Sequence, residues 1–248
     1  MNYKIRKEFA RLCCLHGFIH RKQCFFRCIG DGVYQTIRVN ESSYIDPSSP
    51  YYTSNNIRSK RIVIGLYSIY ANLPEDWFNP RFGAGLIDAN NLVGRRSDPF
   101  LGIQDHYDIM DHTGFDYLDK VNSHENLIQA IEAIGVLEPY LITAQDMCIP
   151  YLIVGEKEKA LRNIDNFLHN KLLAKKRLEA QEGFQLQNGE REYLEEWEKL
   201  KTISLDESKL RLYMKDNLLR NLRVANKFGI HLEEKFTPLV GVVGSGSL

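Results

Sequence analysis

The sequence predicts an α+β fold: an N-terminal helix on a roughly four-stranded antiparallel sheet, followed by a C-terminal helical region with a long antiparallel helical hairpin. Three observations carry this. "CFFRCIGDGVYQTIRVN" holds two β-branched and aromatic runs around Gly30-Asp31-Gly32, and these glycines supply the positive φ that a tight hairpin requires. "RIVIGLYSIYA", 61–71, has the strongest strand composition in the chain. From about residue 122 apolar residues recur at helical intervals to the end. The expected organisation is an α+β sheet domain over 1–121, a helical region packed on it over 122–235, and a tail over 236–248 whose last residues resemble a linker.

In chain order, Tyr3, Lys7, Phe9, Leu12 and Leu15 give residues 3–16 an approximate apolar helical face, and Gly17 is a natural stop. After the hairpin, 44–59 is a polar connection. Within 61–71, Ile62, Ile64, Leu66 and Ser68 share one strand face, and Val63, Gly65, Tyr67 and Ile69 the other. "RFGAGLI", 81–87, is a weaker fourth strand. Asn122 and Glu125 have capping-box spacing before Leu127, Ile128, Ile131 and Ile134, and Gly135 ends that run. Pro139 opens the next helix and Pro150 kinks or divides it. A helix from about 156 carries Leu161, Ile164, Leu168 and Leu172. "GFQLQNG", 183–189, breaks it before Tyr193, Trp197 and Leu200. Ser204 and Glu207 form a second capping box, and the last helix runs to Gly229.

Lys171, Lys175, Lys176 and Arg177 precede the break, and Glu190, Glu192, Glu195, Glu196 and Glu198 follow it. A reversal at 183–189 sets Arg177 level with Glu195 and Lys171 nearer Lys201, with Leu168, Leu172, Tyr193, Trp197 and Leu200 as the seam. The basic cluster is then the partner of the acidic one, and nucleic acid is not expected as a partner.

The chain has 248 residues, 44% hydrophobic and 26% charged, enough to bury a core without staples. No apolar run approaches a membrane span, and the N-terminus lacks the apolar region of a signal peptide, so no membrane partner is expected. Five cysteines, with Cys13 and Cys14 adjacent, fit reduced thiols and a cytoplasmic protein. The net charge is zero but polarised. Residues 1–60 hold ten Lys/Arg and four Asp/Glu, a local +6; residues 100–155 hold one Lys and nine Asp/Glu, a local −8. The two parts face each other or a common partner.

His16, His20, Cys24 and Cys28 recur at four-residue intervals, a zinc inventory. Zinc holds its ligands within about 2.0 to 2.3 Å. Four-residue spacing meets that on a helix, but Gly17 ends the helix and the run after Gln23 reads as strand, where positions four apart stand about 13 Å from one another. These four residues are not expected to converge.

A second cluster comprises Asp98, Asp105, His106, Asp108, Asp111, His112, Asp116 and Asp119. If 105–112 is helical, Asp105, Asp108 and His112 fall near one face, a donor set suited to a divalent cation that could activate water. Asp105, His106, Asp108, Asp111 and His112 are therefore the candidate catalytic residues. The competing account is a solvated acidic segment. No HExxH, paired CxxC, GxxxxGK[ST], GxGxxG or GxSxG occurs.

The helix ending in "HGF", the hairpin "FFRCIGDGVYQTIRVN", the strand "RIVIGLYSIYA", "RFGAGLI" and "ENLIQAIEAIGVLEPYLITAQDMCIPYLIVGEKEKALRNI" together resemble the bacterial family of domain of unknown function four-three-zero-four over about residues 5–165. The resemblance implies an N-terminal helix and antiparallel sheet followed by helices, and it implies no activity or site residue. "CIPYLIVGEKEKALRNI" resembles the second half of a tetratricopeptide-type helix pair.

Two functions are compatible with these observations. One is a non-enzymatic cytosolic interaction protein of bacterial or phage-related origin, of immunity, antitoxin or defence and counter-defence type, with another protein as partner and no cofactor. The other is a metal-dependent hydrolase or nuclease working through the Asp/His cluster at 105–112. The first is preferred.

Overall fold

The computed structural model describes residues 7–21, 24–44, 57–73, 86–88, 94, 103–137, 144–179, 188–227 and 229–232. The chain forms two compact units, one of Met1–Ile69 with Pro74–Ile142, the other of Tyr70–Leu73 with Thr143–Leu248. The described residues 122–137 fall in the same unit as the sheet.

In the first unit, α1 (Lys7–Leu15) leads into a meander of antiparallel strands β1 (Ile19–Arg21), β2 (Cys24–Ile29), β3 (Val33–Tyr44), β4 (Ile57–Ser68) and β5 (Leu86–Asp88). The strand order is the chain order. The expected helix, antiparallel sheet and following helices are all present. Short β1, unread in the sequence, adds a fifth strand, and 57–59 extend β4 into what reads as polar connection. In "RFGAGLI" the described strand begins only at Leu86; residues 74–85 lie outside the described residues.

Local chemistry sets the chain reversals. Gly17, at φ +77, closes α1 by donating to Cys14 O while Phe18 donates to Cys13 O, the paired bonds of a Schellman stop. The β2–β3 turn uses Gly30 at φ +56 and Gly32 at φ +117. The register Phe25↔Ile37↔Ile64, Arg27↔Gln35↔Leu66 and Val33↔Ser68 puts these residues on one face.

That face carries the helices. A run from Ile103 to Lys120 consists of α2 (Ile103–Ile109), a π-helical turn (Met110–Gly114) and α3 (Phe115–Lys120); α4 (His124–Leu137) follows. Phe9 of α1 meets Phe25, Tyr107 and Phe115, and Gln35 donates to Leu118 O and Val121 O. The core here is Phe25, Ile37, Ile62, Ile64, Met110, Phe115, Leu118 and Leu127, all buried. The N-cap of α4 is Ser123, whose Oγ accepts from Asn126 N, rather than Asn122, and α4 continues through Gly135 to Leu137.

The second unit holds α5 (Ala144–Ile153), α6 (Lys157–Glu179), α7 (Asn188–Ile203) and α8 (Glu207–Lys227). Pro150 lies inside α5, which continues to Ile153; Pro139 lies outside the described residues. Asp206 caps α8 by accepting from Lys209 N, while Ser204 donates to Leu200 O, so the cap falls later than the expected one. Asn217 and Asn221 of α8 donate to Tyr70 O and Ala71 O, and Arg220 donates to Leu73 O.

α6 and α7 form the expected antiparallel pair, with Phe167 4.5 Å from Trp197 and Asp165 ion-paired with Lys201. The register differs from the expected one. Lys201 meets Asp165, Leu172 is exposed instead of in the seam, and Gly189 is inside α7. Leu168, Trp197 and Leu200 are the buried seam residues. The aromatic contact sets the register, because exposed charge pairs contribute only about 0 to 1 kcal/mol each. The side chains of 174–194 lie outside the described ones. Among the described residues, no helix is long and apolar enough to cross a membrane.

Candidate functional site

Three groups of polar side chains are held by the first unit. The first is centred on Arg27, which replaces an apolar residue on the helix-bearing face of β2. Its guanidinium is 6% exposed. Nε donates to Gln35 Oε1 at 2.8 Å, and Nη1 donates to His16 O at 2.6 Å and to Asp119 Oδ1. The Phe18 ring lies 4.3 Å from its central carbon. The other oxygen of Asp119 is 2.9 Å from Nδ1 of His16, whose ring stacks on Phe115 at 4.4 Å. Burial pushes the Arg27 pKa down, opposed by the bond to Asp119 and its charge. Burial pushes the Asp119 carboxyl up, but the hydrogen bonds of Arg27 and His16 outweigh it and leave the pKa below the ordinary carboxylate value. Here the basic N-terminal part and the acidic segment do face each other.

The second group joins three segments remote in sequence. Ser68, at the end of β4, places Oγ 3.0 Å from His124 Nε2, and His124 Nδ1 is 2.8 Å from Oδ2 of Asp31 in the hairpin turn. Burial raises the Asp31 pKa, but the His124 hydrogen bond and charge outweigh it and leave it below the ordinary value. The connectivity is that of a serine nucleophile, a histidine base and an orienting carboxylate. Accessibility is the reverse of what such chemistry needs: Ser68 is 3% exposed and His124 0%, while the carboxylate is half exposed. The group ties α4 to the sheet and presents no open hydroxyl to a substrate.

The third group is the acidic segment. Asp105, Asp108, Asp111 and His112 are exposed, whereas His106 is wholly buried on the sheet side of α2. Asp108 accepts from Gln104 Nε2 at 2.7 Å, and His112 Nδ1 donates to Asp108 O at 2.8 Å. The five candidate catalytic residues do not converge. Among the described residues no three His, Cys, Asp or Glu side chains are grouped to hold a metal, Asp105, Asp108 and His112 included. The condition that 105–112 be helical is met by α2 and the π-turn, but helical phase sends His106 inward and the aspartates outward. The π-turn, marked by Phe115 N bonding to Met110 O, adds a residue to the turn, so Asp111, His112 and Thr113 are all exposed in succession. Asp98 lies outside the described residues.

The zinc inventory is dispersed as strand alternation requires. His16 is held by Asp119 and Phe115, and His20 stacks on Phe25 at 4.5 Å. Cys24 and Cys28 are buried on the opposite face of β2 from Phe25 and Arg27.

A cleft of about 170 Å³ lies between α1 and the π-turn, lined by Glu8, Phe9, Leu12, Tyr107, Asp108 and Asp111. The sequence reading singled out Asp108 and Asp111 but not their neighbours from α1. It also missed Arg27, Gln35 and Ser68 as a class, although each is a polar residue in the core-facing phase of a strand, which is a legible sign that a buried partner is needed. No family model, curated protein or solved structure matches this chain.

Proposed function

We propose that this chain is a non-enzymatic protein that acts by binding another protein, as an immunity, antitoxin or defence-type factor of bacterial or phage-related origin. One observation supports this best. Ser68 and His124 are enclosed in an intramolecular group with Asp31, while Asp105, Asp108, Asp111 and Asp116 stand on the exposed side of the 103–120 run. An acidic face speeds encounter with a basic partner and discriminates against acidic ones.

The test has two arms. The purified protein is treated with a fluorophosphonate serine probe, with Ser68→Ala as the control. Binding partners are captured from the native host with the wild-type chain and with Asp105→Lys/Asp116→Lys. The proposal expects no Ser68-dependent labelling, and a salt-sensitive partner that the charge-reversed variant fails to retain. Ser68-dependent labelling with turnover of an ester, or a captured partner indifferent to both substitutions, overturns it.

A further inference from the structure

We infer that the exposed side of α8 is a homodimer surface, on which a second copy of this chain docks antiparallel about a two-fold axis at Leu212. The inference stands on the second unit alone and does not depend on the acidic face of the 103–120 run.

The core side of α8 is well filled: Leu210, Leu218, Leu222 and Ala225 are buried. The opposite side of such a helix ordinarily carries polar residues alone. Here Leu212 is 59% exposed, and Leu205, in the turn that leads into the helix, is 63% exposed. Leu219 is half-buried. Leu205, Leu212 and Leu219 follow one another at intervals of seven positions, a spacing that falls short of two whole helical turns by only about 20°. Leu212 and Leu219 therefore share a side of α8, and Leu205 stands at its start. Lys209 and Asp216, also seven positions apart, are exposed on the same side.

The order of the charges indicates what covers these leucines. With two copies of α8 antiparallel and Leu212 level with its own copy, Leu205 comes level with Leu219 of the second copy. Lys209 then comes level with Asp216 of the second copy and, by the two-fold, Asp216 with its Lys209. Sliding one helix by seven positions leaves two leucine pairings instead of three. It also sets Lys209 against Lys209 in one direction and Asp216 against Asp216 in the other. A parallel pairing likewise opposes like charges. One register alone joins all three leucines and both unlike charge pairs, the self-complementarity that a two-fold interface requires. Within one chain Lys209 is 3.3 Å from Asp206, an exposed pair too weak to hold it there.

The surface is short. The rise from Leu205 to Leu219 is about 21 Å. One helix face of that length buries less than the roughly 800 Å² per partner of a standard interface, so the dimer is a weak one. Its dissociation constant should be on the order of 10 to 100 μM.

The experiment measures the mass of the full chain by sedimentation equilibrium from about 1 to 500 μM. The wild-type chain should pass from monomer to dimer across this range and go no further. Leu212→Lys sets two ammonium groups at the axis and should leave a monomer throughout. Leu212→Ala, a better helix former, keeps the helix and should weaken association about tenfold. Thermal midpoints at the lowest concentration, where the wild type is monomeric, check that each variant is folded. Charge reversal supplies the readout specific to antiparallel pairing. Lys209→Asp and Asp216→Lys each create two like-charged contacts and should each weaken the dimer about tenfold. Mixed in equal amounts, these two variants should form a heterodimer of near wild-type affinity, because every charge then meets its opposite.

A chain that stays monomeric at the highest concentration overturns the inference, as does a dimer that survives Leu212→Lys or association that continues past the dimer. A dimer equally tight in both charge variants, or a mixture no tighter than its components, overturns the antiparallel register and the inference with it.

Discussion

Arg27 and Asp119, ninety-two residues apart, meet through a hydrogen bond from Nη1 to Oδ1, and the second oxygen of the same carboxylate is 2.9 Å from His16. One aspartate thus ties the end of the 103–120 run to both β2 and the turn that follows α1. Arg27→Ala removes the donors that satisfy Gln35 Oε1 and His16 O and leaves those acceptors in a part-buried space. The expected loss is about 2 to 4 kcal/mol, read as a lower urea midpoint with little change in slope. Arg27→Lys recovers little of it, because a single ammonium lacks the spread of the planar guanidinium. A midpoint within experimental error of wild type for Arg27→Ala would refute the account.

Gly30 takes φ +56, and a Cβ built there would lie 1.5 Å from Asn122 O. The hairpin turn and the segment before α4 therefore approach more closely than any side chain permits. Gly30→Ala combines left-handed strain with overpacking against backbone, for an expected loss of roughly 3 kcal/mol or more. Gly17→Ala meets nothing within 4 Å and has only the strain of φ +77 to absorb, so it should be milder. Chemical denaturation of the two variants side by side checks the order.

Asp31 and Asp119 both have folded pKa values below their unfolded ones. In such a case the unfolded chain binds more protons over the window between the two values, so stability rises with pH there. The contribution is fully present above the unfolded value of about 3.9 and is lost as pH falls through the folded values. Both carboxylates are close to half exposed, 49% and 43%, so solvent screening keeps each contribution modest. Asp31→Asn and Asp119→Asn should each flatten the decline in stability below about pH 4. An acid limb of unaltered steepness in both variants would contradict the pairing.

The five cysteines should divide by reactivity. Cys14 is exposed, whereas Cys13, Cys24, Cys28 and Cys148 are buried. Burial pushes the Cys24 thiol up to about 11 and the Cys148 thiol up to about 12, and raises Cys13 further, so these are protonated at neutral pH and poor nucleophiles. A disulfide-exchange reagent should titrate a single fast thiol in the native protein and all five after denaturation. Cys14→Ser should remove the fast phase.

Where local chemistry decides, the sequence was a sufficient guide. The Gly30-Asp31-Gly32 turn, the stop at Gly17 and the shared face of Ile62, Ile64, Leu66 and Ser68 each follow from the backbone limits or strand alternation of neighbouring residues, and the structure has all three. Errors of one or two positions arose where several residues compete for one role, as with Ser123 capping α4 in place of Asn122. Three-residue β1 carries too little pattern to be read alone, and its pairing with β2 creates it.

The polar groups belong to the tertiary structure. Ser68 with His124 and Arg27 with Asp119 each join segments far apart in the chain, and no spacing rule links them. The sequence set Ser68 on one strand face with Ile62, Ile64 and Leu66, but not which group would satisfy it, and it did not single out Arg27 or Gln35. It grouped Asp105, His106, Asp108, Asp111 and His112 in one segment and left its helicity a condition; helical phase and a π-turn decided that His106 enters the core while Asp108 and Asp111 rim a cleft. Backbone geometry acts over a few residues and is written locally; a buried donor is satisfied by whatever acceptor the packed layers bring within about 3 Å, and that is decided only when the sheet and helices meet.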